Sequence, residues 1–137
     1  MSIELSRQSE RWLRVLLEHT TDVITLLNCD GTITYASPST ERVTGYTAEE
    51  MVGRNGFDFV HSRDLDHTTR QLTSIHEQPG TSATVEFRYH HKNATWRWME
   101  GTLTNLLDDP VVGAVVCNYR DITERKQAEE ERRQLPH

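Results

Sequence analysis

The residues of this 137-residue chain that could do chemistry are seven histidines, two cysteines and a scatter of carboxylates, and their spacing decides what they can do. His61, His67, His90 and His91 lack the close pairing that a zinc site needs, and His90 and His91 are consecutive in a strand-like stretch, so they point to opposite faces. Cys29 and Cys117 are too few and too distant for a disulfide framework or a zinc cluster, and they read as reduced thiols of a cytoplasmic protein. An axial haem ligand would be a histidine on the longest internal helix, where His67 has the first claim and His76 the second; histidines are equally ordinary on solvated helix faces, so haem is disfavoured. No Ser/His/Asp order, phosphate-cradling glycine loop or pair of carboxylates at a strand end stands out. The chain therefore reads as a non-enzyme, whatever output a longer parent protein carries. What remains is Asp121 and Thr123, whose side-chain oxygens can accept from the free N–H groups of a first helical turn at the junction Arg120 to Lys126.

The elements that must position these groups follow from pattern. A net charge of −6 with both signs interspersed leaves no basic stripe for nucleic acid. No apolar run approaches membrane-spanning length and no secretory signal is visible, so no direct membrane insertion is expected. Leu5, Trp12, Leu13, Leu16 and Leu17 recur at helical spacing and predict an amphipathic N-terminal helix over residues 1–20. Val23 to Leu27 and Ile33 to Ala36 form a hairpin about Asp30-Gly31. Two short helices follow: one opens at Ser37-Pro38, with Ser37 as its cap, and ends at Gly45, and the next begins with the capping box Thr47 to Glu50. Ser62 to Gln78 is the long helix, capped by Ser62 or Asp64, with Leu65, Leu72 and Ile75 on one stripe. From Thr81 the period becomes two: Val85, Phe87 and Tyr89 face one way, Met99, Gly101 and Leu103 continue that face, and Trp96 and Trp98 take the other. Val111 to Ile122 reads as a third strand, apolar on both faces. Glu124 to Gln134 consists of strong helix formers with little to bury.

Six blocks, in order and with consistent gaps, resemble the PAS sensor-domain family from Leu16 to Glu130. They are Asp22-Val23-Ile24; Asp30 to Ile33; Thr44 to Arg54; Val60 to Asp64; Glu86 to Tyr89 with Trp96 to Glu100; and Arg120 to Lys126. The resemblance implies an α+β PAS fold, a five-stranded antiparallel sheet of order 2-1-5-4-3 with helices on one face enclosing a small pocket. It implies a core over residues 21–122 and a signalling linker helix starting within residues 123–137. That linker would lead to an output module such as a histidine kinase, a transducer or a cyclic-dinucleotide enzyme. The family's Asp-Gly before the fourth strand is Asn93-Ala94 here, so Asn93 is expected in the left-handed conformation. The light-sensing variant of the family carries a cysteine just after the Gly-Arg pair; this chain has Asn55-Gly56-Phe57 there, so photochemical flavin binding is all but excluded.

By this assignment of faces, the ligand pocket is lined by Thr25, Leu27, Phe59, Leu72, Val85, Phe87, Tyr89, Arg97, Met99, Leu103, Val115, Cys117 and Tyr119, with Leu65 and Ile75 beside them. That mix suits a small apolar or aromatic ligand with a few hydrogen-bonding tips. The competing reading is that these side chains simply fill the space. Asp121, Ile122 and Thr123 would relay the signal, and Leu5, Trp12, Leu13, Leu16, Trp96 and Trp98 would hold a homodimer. The expected function is thus a signal-transduction sensor module within a larger protein; the alternative is a ligand-free module for dimerisation or protein interaction.

Overall fold

Period-two alternation in the second half of the chain becomes three long strands, which the computed structural model, describing residues 22–136, joins to a short hairpin from the first half. β1 (Val23–Leu27) and β2 (Ile33–Ala36) flank the Asp30-Gly31 turn, where Gly31 has φ +90° and an added Cβ would lie 2.9 Å from the Phe57 ring. Only glycine fits both demands. Then come α1 (Thr40–Thr44), α2 (Ala48–Met51), a 3-10 turn (Gly56–Phe59) and α3 (Ser62–His76). β3 (Ser82–His90), β4 (Trp96–Leu106), β5 (Ala114–Asp121) and α4 (Thr123–Gln134) complete the described residues.

The sheet is antiparallel throughout, in the order β2-β1-β5-β4-β3, as the resemblance implies. Its inner face presents Val85, Phe87, Tyr89, Met99, Leu103, Val115, Cys117 and Tyr119 to the helical segment, and these residues form one buried cluster with Phe59, Leu72 and Ile75. Part of each sheet edge is covered by backbone or side chains of the inserted helical segment, which shortens the free edges that invite aggregation. On β2, Ile33 N donates to Arg54 O and Gly53 N to Ile33 O, each at 2.8 Å. On β3, the Asp64 carboxylate accepts from Arg88 N at 2.8 Å, His61 N donates to Arg88 O at 2.9 Å, and His67 Nε2 donates to Glu86 O at 3.0 Å.

Several local expectations change. The capping box is present, with Thr47 and Glu50 exchanging side-chain-to-backbone bonds of 3.1 and 3.0 Å. Ser39 holds the N-cap position of α1 without a side-chain cap bond, its hydroxyl donating to Asp22 O, while the Ser37 hydroxyl, expected to cap, accepts from Ile24 N. The cap of α3 is His61, whose Nδ1 accepts from Arg63 N; Asp64 is drawn to Arg88 instead. Leu65 is exposed and contributes nothing to the interior. β5 starts at Ala114, since the Asp109 carboxylate captures Val111 N and Val112 N in a turn. Its outer face is polar after Val116, with Asn118 and Arg120 exposed, so it is not apolar on both sides. The amphipathic helix over residues 1–20, with Leu5, Trp12, Leu13 and Leu16, lies outside the described residues.

Ala94, not Asn93, takes the left-handed conformation before β4, at φ +69°. The Asn93 side chain instead accepts from Thr95 N at 3.1 Å, and the left-handed residue falls one position later than expected. An L-residue in this region costs about 1 kcal/mol that glycine does not. Ala94→Gly is therefore expected to raise the unfolding free energy by about 1 kcal/mol, less the extra entropy glycine gives the unfolded chain. Urea titration checks this, and a loss of stability would place the strain elsewhere.

Candidate functional site

The inner face of the sheet and the helical segment enclose a cavity of about 40 Å³. Thr25, Leu27, Val85, Phe87, Tyr89, Leu103, Cys117 and Tyr119 line it, eight of the residues that the sequence assigned to a pocket. Phe59, Leu72, Met99 and Val115 are buried around it without lining it. Phe59 stands behind the cavity wall, stacked on Tyr89 with ring centroids 5.3 Å apart. Arg97 has inward parity but sits at the end of the sheet, where its Nε donates to Asp121 at 2.8 Å; it is not a cavity residue. Ile33, Gly56, Phe57, Val60, Thr68 and Gly101 complete the lining and went unrecognised in the sequence. Gly101 alone carried a signal, an inward glycine in mid-strand, which marks close approach: a Cβ there would meet the Phe87 ring at 2.8 Å.

Size decides what can enter. A water needs about 10–15 Å³ by this measure, so 40 Å³ admits a few waters or a ligand of few heavy atoms. Haem does not fit, and His67, committed to the edge-strand carbonyl of Glu86, is not turned toward the cavity. Among the described residues no group of three or more His, Cys, Asp or Glu could hold a metal ion.

Two features of the lining bear on chemistry. Burial pushes the Cys117 thiol up to about 12, so it stays protonated and is neither a nucleophile nor a metal ligand. Tyr119 is 3% exposed, and its hydroxyl has no hydrogen-bond partner among the described residues. The Tyr89 phenol beside it, ring centroids 5.5 Å apart, affects its acidity, but the two hydroxyls do not meet hydrogen-bond geometry. Burial raises the pKa of both phenols, so both remain neutral.

Downstream of Tyr119 the chain leaves the sheet through a clasp. Ile122 N donates to Trp98 O at 2.8 Å, and Trp98 N donates to Thr123 Oγ1 at 2.9 Å, so Ile122 and Thr123 bracket one residue of β4. The Asp121 carboxylate accepts from Thr123 N and from Arg97 Nε, each at 2.8 Å. Burial alone would raise the Asp121 pKa; Arg97 and Thr123 more than reverse this and hold it below the usual carboxylate range. The first turn of α4 then lies on the outer face. Arg125 and Lys126 reach Glu86 at 2.7 and 2.5 Å, and Lys126 Nζ stands 4.8 Å over the Trp98 ring. Trp98, expected in an open dimer patch, is thus roofed by its own chain's Lys126 and by Arg88, whose guanidinium carbon is 5.1 Å from the ring centroid. Trp96 is 46% exposed, flanked by the rings of His61 and His90.

Among the described residues no helix is long and apolar enough to cross a membrane. The "White collar 1 protein" of Neurospora crassa is 34% identical over 98 residues, 70% of this chain and 8% of that protein. The "Sensor histidine kinase TmoS" of Ectopseudomonas mendocina is 26% identical over 137 residues, 98% of this chain and 14% of that protein. The chain thus spans a small fraction of the curated relatives it matches. The solved PAS domain of a Colwellia psychrerythraea protein superposes with a TM-score of 0.73 at 23% identity, covering 84% of this chain and 98% of that one, which speaks for the fold. The PAS fold family matches residues 33–112, more than half of the sequence and most of the sheet with its inserted helices, and on that ground the chain belongs to the PAS fold family of sensor and signalling modules.

Proposed function

We propose that the chain is the sensing module of a larger signalling protein, in which a small, mostly apolar ligand with one hydrogen-bonding group enters the inner cavity and alters how α4 leaves the sheet. Tyr119 carries this reading. Its hydroxyl is buried at the cavity without a partner, and leaving such a group unpaired costs about 1–3 kcal/mol, which a ligand hydrogen bond would recover. Tyr119 also lies two residues before Asp121 on the same face of β5, paired with Gly101 as Asp121 is with Met99. A displacement at Tyr119 passes along an extended strand to the clasp around Trp98, and a helix rooted there re-aims as a stiff unit. The ligand must prefer one arrangement of the clasp, by a few kcal/mol at most.

The relative named as a sensor histidine kinase supports a kinase as the output module; a transducer or cyclic-dinucleotide enzyme would couple to the same helix. The unpaired Cys29 and Cys117 are consistent with a cytoplasmic setting. A homodimer would use Leu5, Trp12, Leu13 and Leu16 together with the exposed Trp96.

The small volume, about 40 Å³, favours a second reading: an interior filled by its own side chains, in a module that only assembles proteins. Native mass spectrometry of protein purified from cells separates the two, with Tyr119→Phe as the control. Sensing predicts a small non-covalent adduct in the wild type that is lost in Tyr119→Phe. The ligand-free variant should be as stable as the wild type or up to about 1 kcal/mol more so, because it sheds a desolvated hydroxyl. Ligand should also change amide exchange in the first turn of α4. With no adduct and an unresponsive α4, the assembly reading stands.

A further inference from the structure

Four arginines from four different elements line one groove at the end of the sheet where β5 gives way to α4. The groove has a volume of about 700 Å³, within the range of small-molecule sites, and is lined by Arg42 of α1, Arg97 of β4, Arg120 of β5 and Arg125 of α4, with Asp121 and Glu124 as its acids. It shares no lining residue with the inner cavity.

The arginines are unequally committed. Arg120 and Arg125 turn to Glu100 and Glu86 on the outer face. Arg97 donates through Nε alone, to Asp121. Arg42 is exposed and has no ion pair or side-chain hydrogen bond among the described residues. A guanidinium carries five N–H donors in a planar fork, so Arg97 retains its Nη donors and Arg42 its whole fork. Such forks match phosphate and carboxylate oxygens two at a time.

We propose that this groove binds a small, multiply charged anion bearing phosphate or carboxylate groups between Arg42 and Arg97, and that the bound anion loosens the clasp by competing with Asp121 for Arg97. Asp121 holds Thr123 N and Arg97 together, so an anion that draws Arg97 away leaves the first turn of α4 tied to β4 through Ile122 and Thr123 alone. The groove would then bias the exit helix from outside the fold, independently of the cavity.

The test is an NMR titration of the whole 137-residue chain with pyrophosphate and, separately, citrate, sodium chloride keeping the ionic strength constant. Saturable shifts at the Arg97 Nε–H and the Thr123 and Glu124 amides are expected, with several-fold faster amide exchange in the first turn of α4 at saturation. Arg42→Ala and Arg42→Glu, at an exposed position, should weaken binding by about tenfold or more. Saturation by pyrophosphate alone identifies a phosphate ligand, by citrate alone a polycarboxylate, and by both a site selective for charge only. Shifts that sodium chloride reproduces, or affinity unchanged in both Arg42 variants, overturn the site. Binding that leaves the Arg97 shift and α4 exchange unaltered overturns the competition with Asp121.

Discussion

Phe59→Ala is expected to lower the unfolding free energy by about 3–5 kcal/mol, the range for truncating a fully buried phenylalanine. Phe59 is 2% exposed and is gripped from three sides: the Tyr89 ring stacks at 5.3 Å, the Tyr46 ring meets it edge-on at 5.1 Å, and the Arg54 guanidinium lies 4.7 Å from its centroid. These neighbours come from β3, from the stretch between α1 and α2 and from the loop after α2, so the hole cannot close by moving one element. For a domain with a typical stability of about 5–15 kcal/mol, the loss is a large share of the total. The truncation also removes the support behind Tyr89, whose ring walls the cavity, so the cavity should gain volume and side-chain motion as the fold weakens. Chemical denaturation measures the first effect. A loss below about 1 kcal/mol would contradict a close-packed Phe59 site.

Asp64→Ala should cost about 3 kcal/mol, through two separate groups left behind. The carboxylate accepts from Arg88 N, Nε and Nη2 at 2.8, 2.8 and 2.9 Å, so removing it strands both a charge and an edge-strand N–H. The value sits at the low end for a broken buried ion pair because the Arg88 side chain remains 24% exposed and can turn to water. The same contacts give this site a pH dependence of definite sign. The Arg88 hydrogen bonds hold the Asp64 pKa below its ordinary value despite burial. A depressed folded-state pKa contributes stability that is fully present above the unfolded value, about 4, and is lost as pH falls through the folded value. Acid unfolding of Asp64→Ala should therefore begin from a lower plateau and show a shallower dependence below about pH 4 than the wild type. Parallel curves for the two proteins would assign the acid sensitivity to other carboxylates.

These two residues show where local pattern stops being informative. Asp64 reads in the sequence as a helix cap because it sits in the first turn of a helix, and nothing local says that Arg88, far along the chain, will claim it. His67 reads as a haem candidate because it lies on the longest internal helix; its role, covering a carbonyl of the edge strand, exists only once α3 is laid along β3. Arg97 has the parity of a cavity residue, yet the end of β4 falls outside the enclosed space and next to Asp121. Each time the residue type and face were legible, and the partner was not.

The sequence by itself determined which segments are strands and helices and the inward faces of β3 and β4, because alternation is short-range and needs only neighbours within a few residues; the caps of α1 and α3 and the start and outer face of β5 were misread. At the exit it marked Asp121 and Thr123 as acceptors for a first helical turn, and only Asp121 does this, by accepting from Thr123 N; the Thr123 hydroxyl accepts from Trp98 N of β4, a donor that no local pattern names. The tertiary structure alone decided the volume of the cavity, the isolation of the Tyr119 hydroxyl, the roof over Trp98 and the gathering of Arg42, Arg97, Arg120 and Arg125 into one groove. Those properties depend on distances between residues remote in the chain. Such distances are set by how the helical segment packs across the whole sheet and not by any local preference.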